Sequence, residues 1–328
     1  PKPQTPNPKP QPLKRLRRLV LNHCDFIMNI HKGVCRSKAT VALIGAAWKE
    51  GQLKANCELT AGLFRQAGIA ETLRKNLGIK VEDYGDVSQG QVLNNKEGLR
   101  ELGVNERIKV VGKLNEQLSH LVHKASKESQ QTLVIGGDHS LSTGSIHGQL
   151  LTHGDDLKVL WIDAHADINT PLSSSSGNYH GMPVAHLMGL FDSSPSPDFQ
   201  WLSKRLKPSN LVYIGIRDLD PAERMTIQQN DIRYYSMFDL IHMGGLRNVV
   251  DDAFDYLKVG KGQSPLHVSF DVDVLDADSM QLTGTPVRNG LSFREANYIM
   301  QRAYRSSSLV GLDIAEFNPM IDGSATRQ

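Results

Sequence analysis

The chain of 328 residues is short of several things that would place it at a surface or in an oxidising compartment. Cysteine occurs three times, at Cys24, Cys35 and Cys57, too few and too oddly spaced for a disulfide framework or a closed thiolate site; such sparse use suits a reducing compartment. No run of about 18 uncharged apolar residues occurs, so no membrane span is expected. No secretory signal is evident, and a secreted protein is not expected. Net charge is only +2, yet basic charge is gathered at one end: residues 1–49 hold ten Lys and Arg against one acid, Asp25. The remainder holds 27 basic and 34 acidic groups. An acidic body lacks the basic footprint of a nucleic-acid binder, and no nucleic-acid partner is expected.

The basic end opens "PKPQTPNPKPQP", with proline at six of twelve positions, and continues "LKRLRRLVLNH". Such a segment buries little and reads as a flexible or targeting arm over residues 1–40. An acid-poor, basic and partly apolar arm is compatible with a cytoplasmic or a mitochondrial protein.

From residue 41 the pattern changes. Short apolar runs ("VALIGAA", "VEDYGDV", "QTLVIGG", "LKVLWIDA", "NLVYIGIRD", "LHVSFDVDV", "SLVGLDIAEF") read as strands, some apolar throughout and of the buried type. Between them lie stretches with helical spacing: one helix across 59–78, another across 91–128, and others near 142–151, 181–190, 221–229, 246–258 and 292–306. Alternation of this kind predicts one α/β domain from residue 41 onward, with a mostly parallel central sheet covered by helices on both faces, a three-layer α/β/α arrangement.

Five of the apolar runs end in functional side chains: Asp138 and His139; Asp163, His165 and Asp167; Arg217, Asp218 and Asp220; Asp271 and Asp273; Asp313 and Glu316. Ligands of open parallel sheets bind beyond the carboxyl ends of the strands, so these groups are expected to converge. In extended chain alternate side chains share a face, which aligns Asp163, His165 and Asp167, and likewise Asp271 with Asp273. Four such carboxylates in one place repel: at about 4 Å each pair costs roughly 4 kcal/mol at an effective dielectric near 20. Protons would relieve part of that, and two divalent cations would relieve all of it. Carboxylate oxygens with two imidazoles, His139 and His165, suit manganese, with iron or cobalt as alternatives.

The motifs "GGDHS" (136–140), "DAHADINT" (163–170), "SGNYHG" (176–181) and "SFDVDVLD" (269–276) resemble the arginase branch of the ureohydrolases, and the likeness runs from about residue 41 to 320. The resemblance implies an arginase/deacetylase-like fold and a catalytic domain over 41–328. It further implies two Mn2+ per subunit and hydrolysis of the L-arginine guanidinium to L-ornithine and urea by a hydroxide bridging the two ions. On this likeness His139, Asp163, Asp167 and Asp271 hold one ion, and Asp163, His165, Asp271 and Asp273 the other. Asn169, Ser174, Ser176, Asn178, Asp218, Asp220, Thr285 and Glu316 fall at substrate positions. His180, Asp167 and Glu316 fall at catalytic ones, His180 handling protons and Glu316 holding the guanidinium. A homotrimer or other homo-oligomer is also implied.

The likeness is incomplete at three places. Residues 55–61, "ANCELTA", stand where the family has a Gly-rich stretch with Gly-Pro, and 274–282, "VLDADSMQL", lack the usual prolines beside Asp273. The chain ends at Gln328, short of a C-terminal helix that family members carry, so that helix is expected to be missing. Two other functions stay open from the residues alone: another ureohydrolase, such as an agmatinase or guanidino-acid hydrolase, and a catalytically weakened metal-binding scaffold.

Overall fold

A computed structural model describes residues 40–54, 56–92, 103–191, 197–260 and 263–321. The arm at 1–39, most of the stretch 91–102 and the chain end lie outside the described residues. Eight strands form one sheet: β1 (Thr40–Ala47), β2 (Lys80–Ser88), β3 (Gln131–Ile135), β4 (Lys158–Ile162), β5 (Leu211–Ile216), β6 (Arg233–Ser236), β7 (Leu266–Asp271) and β8 (Leu309–Ala315). Their order is β2-β1-β3-β8-β7-β4-β5-β6, and all neighbours run parallel, so the sheet is wholly rather than mostly parallel.

The helices that cover it are α1 (Thr60–Gln66), α2 (Ile69–Leu77), α3 (Val104–Glu128), α4 (Ser142–His153), α5 (Pro183–Met188), α6 (Pro221–Gln229), α7 (Met237–His242), α8 (Leu246–Leu257) and α9 (Phe293–Arg305). Strand residues divide by parity. Val41, Leu43, Leu160, Ile162, Val212 and Ile214 pack with Phe64, Leu73, Val249 and Ile299 on one face. Ala42, Ile44 and Val134 meet Val110, Leu114 and Leu118 on the other, where Val159, Trp161, Leu211 and Tyr213 meet Ile146, Leu150 and Val184. Burial on both faces accounts for runs too apolar to alternate.

The single helix expected over 59–78 is two helices. Its apolar spacing continues through residue 68, but Gly68 takes a left-handed conformation (φ 84°) and starts α2 afresh. Strand β6 and helix α7 were not anticipated; their ten residues are too few to show a period. Helix α9 has a plain cause: Ala296, Ile299, Met300 and Ala303 form one buried stripe, and Ser292 and Glu295 close a capping box at its start.

The turn after β3 is built on glycine. Gly137 has φ 75°, and a Cβ there would stand 2.7 Å from the Ala46 carbonyl oxygen and 3.0 Å from that of Trp48. The Gly137→Ala variant is therefore expected to lose about 2 kcal/mol or more of unfolding free energy, read as a lower urea midpoint at unchanged m-value.

Candidate metal centre and substrate cleft

Four adjacent strands, β3, β8, β7 and β4, end beside one another and deliver the site. Strand β4 stops at Ile162, so the Asp163–Asp167 segment is not extended. Instead the Asp163 carboxylate turns back to accept from the His165 backbone N–H at 2.8 Å. Asp271 does the same for Asp273 N–H at 2.7 Å, and Asp138 for Ser140 N–H at 3.0 Å. Each Asp-x-X strand end is thus closed by its own first residue, which fixes the direction of the second. Asp167 and Glu316 both adopt left-handed backbone, with φ of 49° and 63°. Such conformations persist in non-glycine residues only where surroundings impose them.

The expected ligands converge. His139 Nδ1 lies 3.0 Å from Asp163 Oδ2, 3.0 Å from Asp167 Oδ2 and 3.1 Å from Asp271 Oδ2. His165 Nδ1 lies 3.1 Å from Asp273 Oδ2 and 3.5 Å from Asp163 Oδ1. Two groups result, His139–Asp163–Asp167 and Asp163–His165–Asp273, each with donor atoms close enough for one ion, and Asp163 belongs to both. His165 Nε2 is 3.6 Å from Asp218, whose side chain is otherwise largely exposed. Thr285 donates to Asp273 Oδ2 at 2.8 Å, and Trp161 Nε1 donates to Asp163 Oδ2 at 3.0 Å.

The chemistry of His139 tests whether these residues suit a cation. Ser269 donates its hydroxyl proton to Asp313 Oδ2 at 3.1 Å, so the Ser269 oxygen facing His139 Nε2 at 2.9 Å accepts. Nε2 therefore carries the imidazole proton, and Nδ1 presents a lone pair to three carboxylates. Nδ1 is buried with no hydrogen-bond partner. A lone pair facing three oxygens is tolerable only with positive charge among them, whether a proton or a metal ion. The acids show the same tension. Burial, then the charge of Asp163, pushes Asp167 up to about 6; burial, then Asp273 and Asp163, pushes Asp271 well above the carboxylate range. Asp163 alone is held well below it, against burial, by His139 and His165. Divalent cations resolve every one of these conflicts, and the donor set fits them.

Behind His139 stands a second layer. Asp313 is fully buried yet held low, against burial, by His267, whose Nε2 lies 2.7 Å away, and by Ser145 at 2.9 Å. His139 stacks on Trp161 with ring centroids 4.3 Å apart.

The other expected residues lie in the segments that follow β4, β5 and β8. Glu316 is buried; its Oε1 accepts from His139 N–H at 2.9 Å and lies 3.0 Å from His180 Nδ1. Its Oε2 accepts from Gln52 at 2.7 Å. Burial lowers the His180 pKa, but the Glu316 bond and charge outweigh it and raise it to about 9. Asn169 donates to Asp220 at 3.0 Å and accepts from Ser173 at 2.8 Å. Ser174 and Ser176 accept from the N–H groups of Gly177 and Asn178, holding the loop closed on itself. Asp138 and Asp276 hydrogen-bond loop N–H groups.

Two segments that depart from the family pattern are nevertheless anchored. Arg217 donates to the carbonyls of Gly215, Arg288, Asp273, Leu275 and Val287, which ties the segment 274–288 to β5. Cys57 is buried beside Trp48 in the other. Sequence reasoning did not single out Ser269, Gln52, Arg107 or the anchoring role of Arg217. Ser269 lies within a quoted motif and Arg217 at the end of an apolar run, but nothing in the local context of Gln52 or Arg107 marks them.

The arginase family model matches residues 39–328. Human mitochondrial arginase-2 is 40% identical over 299 residues, covering 89% of this chain and 81% of that protein. Rat arginase-1 is 41% identical over 285 residues, covering 86% and 85%. Among solved structures, arginase from Bacillus caldovelox superposes with a TM-score of 0.76 at 31% identity, covering 87% and 92%. Entamoeba histolytica arginase in complex with L-ornithine gives 0.75 at 28% identity, covering 87% and 93%.

A cation must displace the protons held by Asp167 and His139. Divalent-metal affinity is therefore expected to fall as pH drops through about 6, where the Asp167 carboxyl takes up its proton, as titration calorimetry at pH 8 and pH 5.5 would read. At fixed pH, Ser269→Ala is expected to weaken that affinity by about 10- to 100-fold.

Proposed function

Because the chain belongs to the arginase family, we propose that it hydrolyses the guanidinium group of L-arginine to L-ornithine and urea, with two Mn2+ held in the two donor groups. The observation that carries this is the backbone N–H of His139, which is bonded to the buried Glu316 carboxylate. One residue thus couples the metal centre to a fixed anion of the kind a guanidinium requires. Oxygen-rich donors with one imidazole per ion suit manganese. When bound, the metal pair supplies the Lewis acidity that makes hydroxide available near neutral pH.

The protein's own groups do the rest. Glu316 holds the guanidinium by charge-assisted hydrogen bonds, taking the substrate cation in place of His180. His180, held protonated by Glu316 until the substrate takes its place, exchanges protons between the cleft and solvent, and Asp167 passes a proton to the leaving amine. Asn169, Ser174, Ser176 and Asn178 take the α-carboxylate; Asp218 and Asp220 take the α-ammonium, with Asn169 oriented by Asp220. Thr285 keeps Asp273 in place. Residues 41–328 act as one catalytic unit. A homotrimer or other homo-oligomer is part of the same reading, supported by Phe238 and Ile241, which stand 70% and 81% exposed one turn apart on α7. The basic arm supports a cytoplasmic or mitochondrial setting. No helix of the described residues is long and apolar enough to cross a membrane.

The test is urea release by the purified protein with Mn2+, offered L-arginine and agmatine in parallel. Urea from L-arginine is the expected result. Urea from agmatine alone would make it a different ureohydrolase, and none from either after metal loading would make it a scaffold. Glu316→Gln is expected to lower kcat/KM for L-arginine by about 100-fold, the worth of one charge-assisted contact at the upper end of its range.

A further inference from the structure

Helix α3 begins against the loop that holds Ser174, Ser176 and Asn178. Val104, Arg107, Ile108 and Val111 are spaced to share one face of α3. Val111 is buried in one cluster with Tyr179, and Ile108 packs on that cluster. A methyl group on Gly177 would come within 3.2 Å of Val104 Cγ1. Between these contacts Arg107, only 6% exposed, donates from Nη2 to Asn178 Oδ1 at 3.1 Å. Its Nε and Nη1 are buried with no hydrogen-bond partner. Burial lowers its pKa, and the buried acids Asp138 and Glu50 partly oppose that.

A guanidinium buried with idle donors is costly, and an apolar side chain of equal length would fill the space without that cost. What Arg107 adds is orientation. A guanidinium only donates, so the Asn178 atom that faces it is the carbonyl oxygen. The other end of the amide, Nδ2 with its two hydrogens, has no acceptor among the described residues. An Asn178 amide flipped the other way would instead offer an acceptor, which repels a carboxylate.

We propose that Arg107 is a positioning residue for substrate selection: it holds Asn178 so that the amide N–H donors, backed by the guanidinium charge, meet the substrate α-carboxylate. The selected class is an amino acid with a free carboxylate, preferred over its amide. This inference rests on the reading of loop 169–178 as the α-carboxylate side of an arginine site.

The experiment uses the full chain loaded with Mn2+ and compares L-arginine with L-argininamide, in which the carboxylate charge is removed. In Arg107→Met the KM for L-arginine is expected to rise about tenfold at little-changed kcat and unchanged bound metal, while L-argininamide is unaffected. Arg107→Lys, which keeps a cationic donor, is expected to recover part of the loss. The double variant with Asn178→Ala is expected to be no worse than Asn178→Ala alone, because Arg107 acts through that residue. An unaltered KM for L-arginine, or equal losses on both substrates, would overturn the proposal while leaving arginine hydrolysis by the wild type intact. Should Arg107→Met not fold, Arg107→Lys carries the same substrate comparison. Wild-type protein inert toward L-arginine would overturn both readings.

Discussion

Repulsion among the carboxylates of Asp163, Asp167, Asp271 and Asp273 is the constraint around which the rest is arranged. No fold gathers four acids beyond two neighbouring strands, β7 and β4, for stability. The sheet must supply a frame stiff enough to hold them, and the surroundings must keep water from dissolving the arrangement. An all-parallel sheet buried on both faces does the first. Trp161, stacked on His139 and bonded to Asp163, does part of the second.

That frame extends outward through hydrogen bonds rather than apolar packing alone. His267 and Ser145 hold Asp313, Asp313 accepts the Ser269 hydroxyl hydrogen bond, and Ser269 sets the tautomer of His139. The relay reaches from α4 and β8 through β7 to the end of β3. Each link has one acceptable direction once Asp313 is ionised, so the imidazole lone pair is aimed before any ligand arrives. The substrate side uses the same economy, since Glu316 is held at both oxygens by His139 N–H and Gln52.

Much of this was legible in the sequence for one reason: strand ends carry chemistry, and their apolar runs are conspicuous. The side chains of Asp163, His165, Asp271 and Asp273 could be grouped from spacing alone, although Asp163–Asp167 proved to be turned rather than extended. What stayed hidden acts across the sheet. Ser269 and Asp313 are register partners on β7 and β8, a relation with no local signature. Arg107 and Asn178 lie 71 residues apart. Gly68 divided a helix whose apolar spacing ran through it, because backbone handedness overrides side-chain pattern. Strand β6, at four residues, was too short for its alternation to stand out.

Asp163 has one oxygen toward His139 and the other toward His165. A carboxylate pinned at one end has little rotational freedom left at the other. An ion held in one donor group would thus finish half the construction of the other, while its charge would oppose a second. Filling of the two donor groups would in that sense be a single negotiation, and a molecule with one of them filled would be a distinct chemical species rather than an average of empty and full.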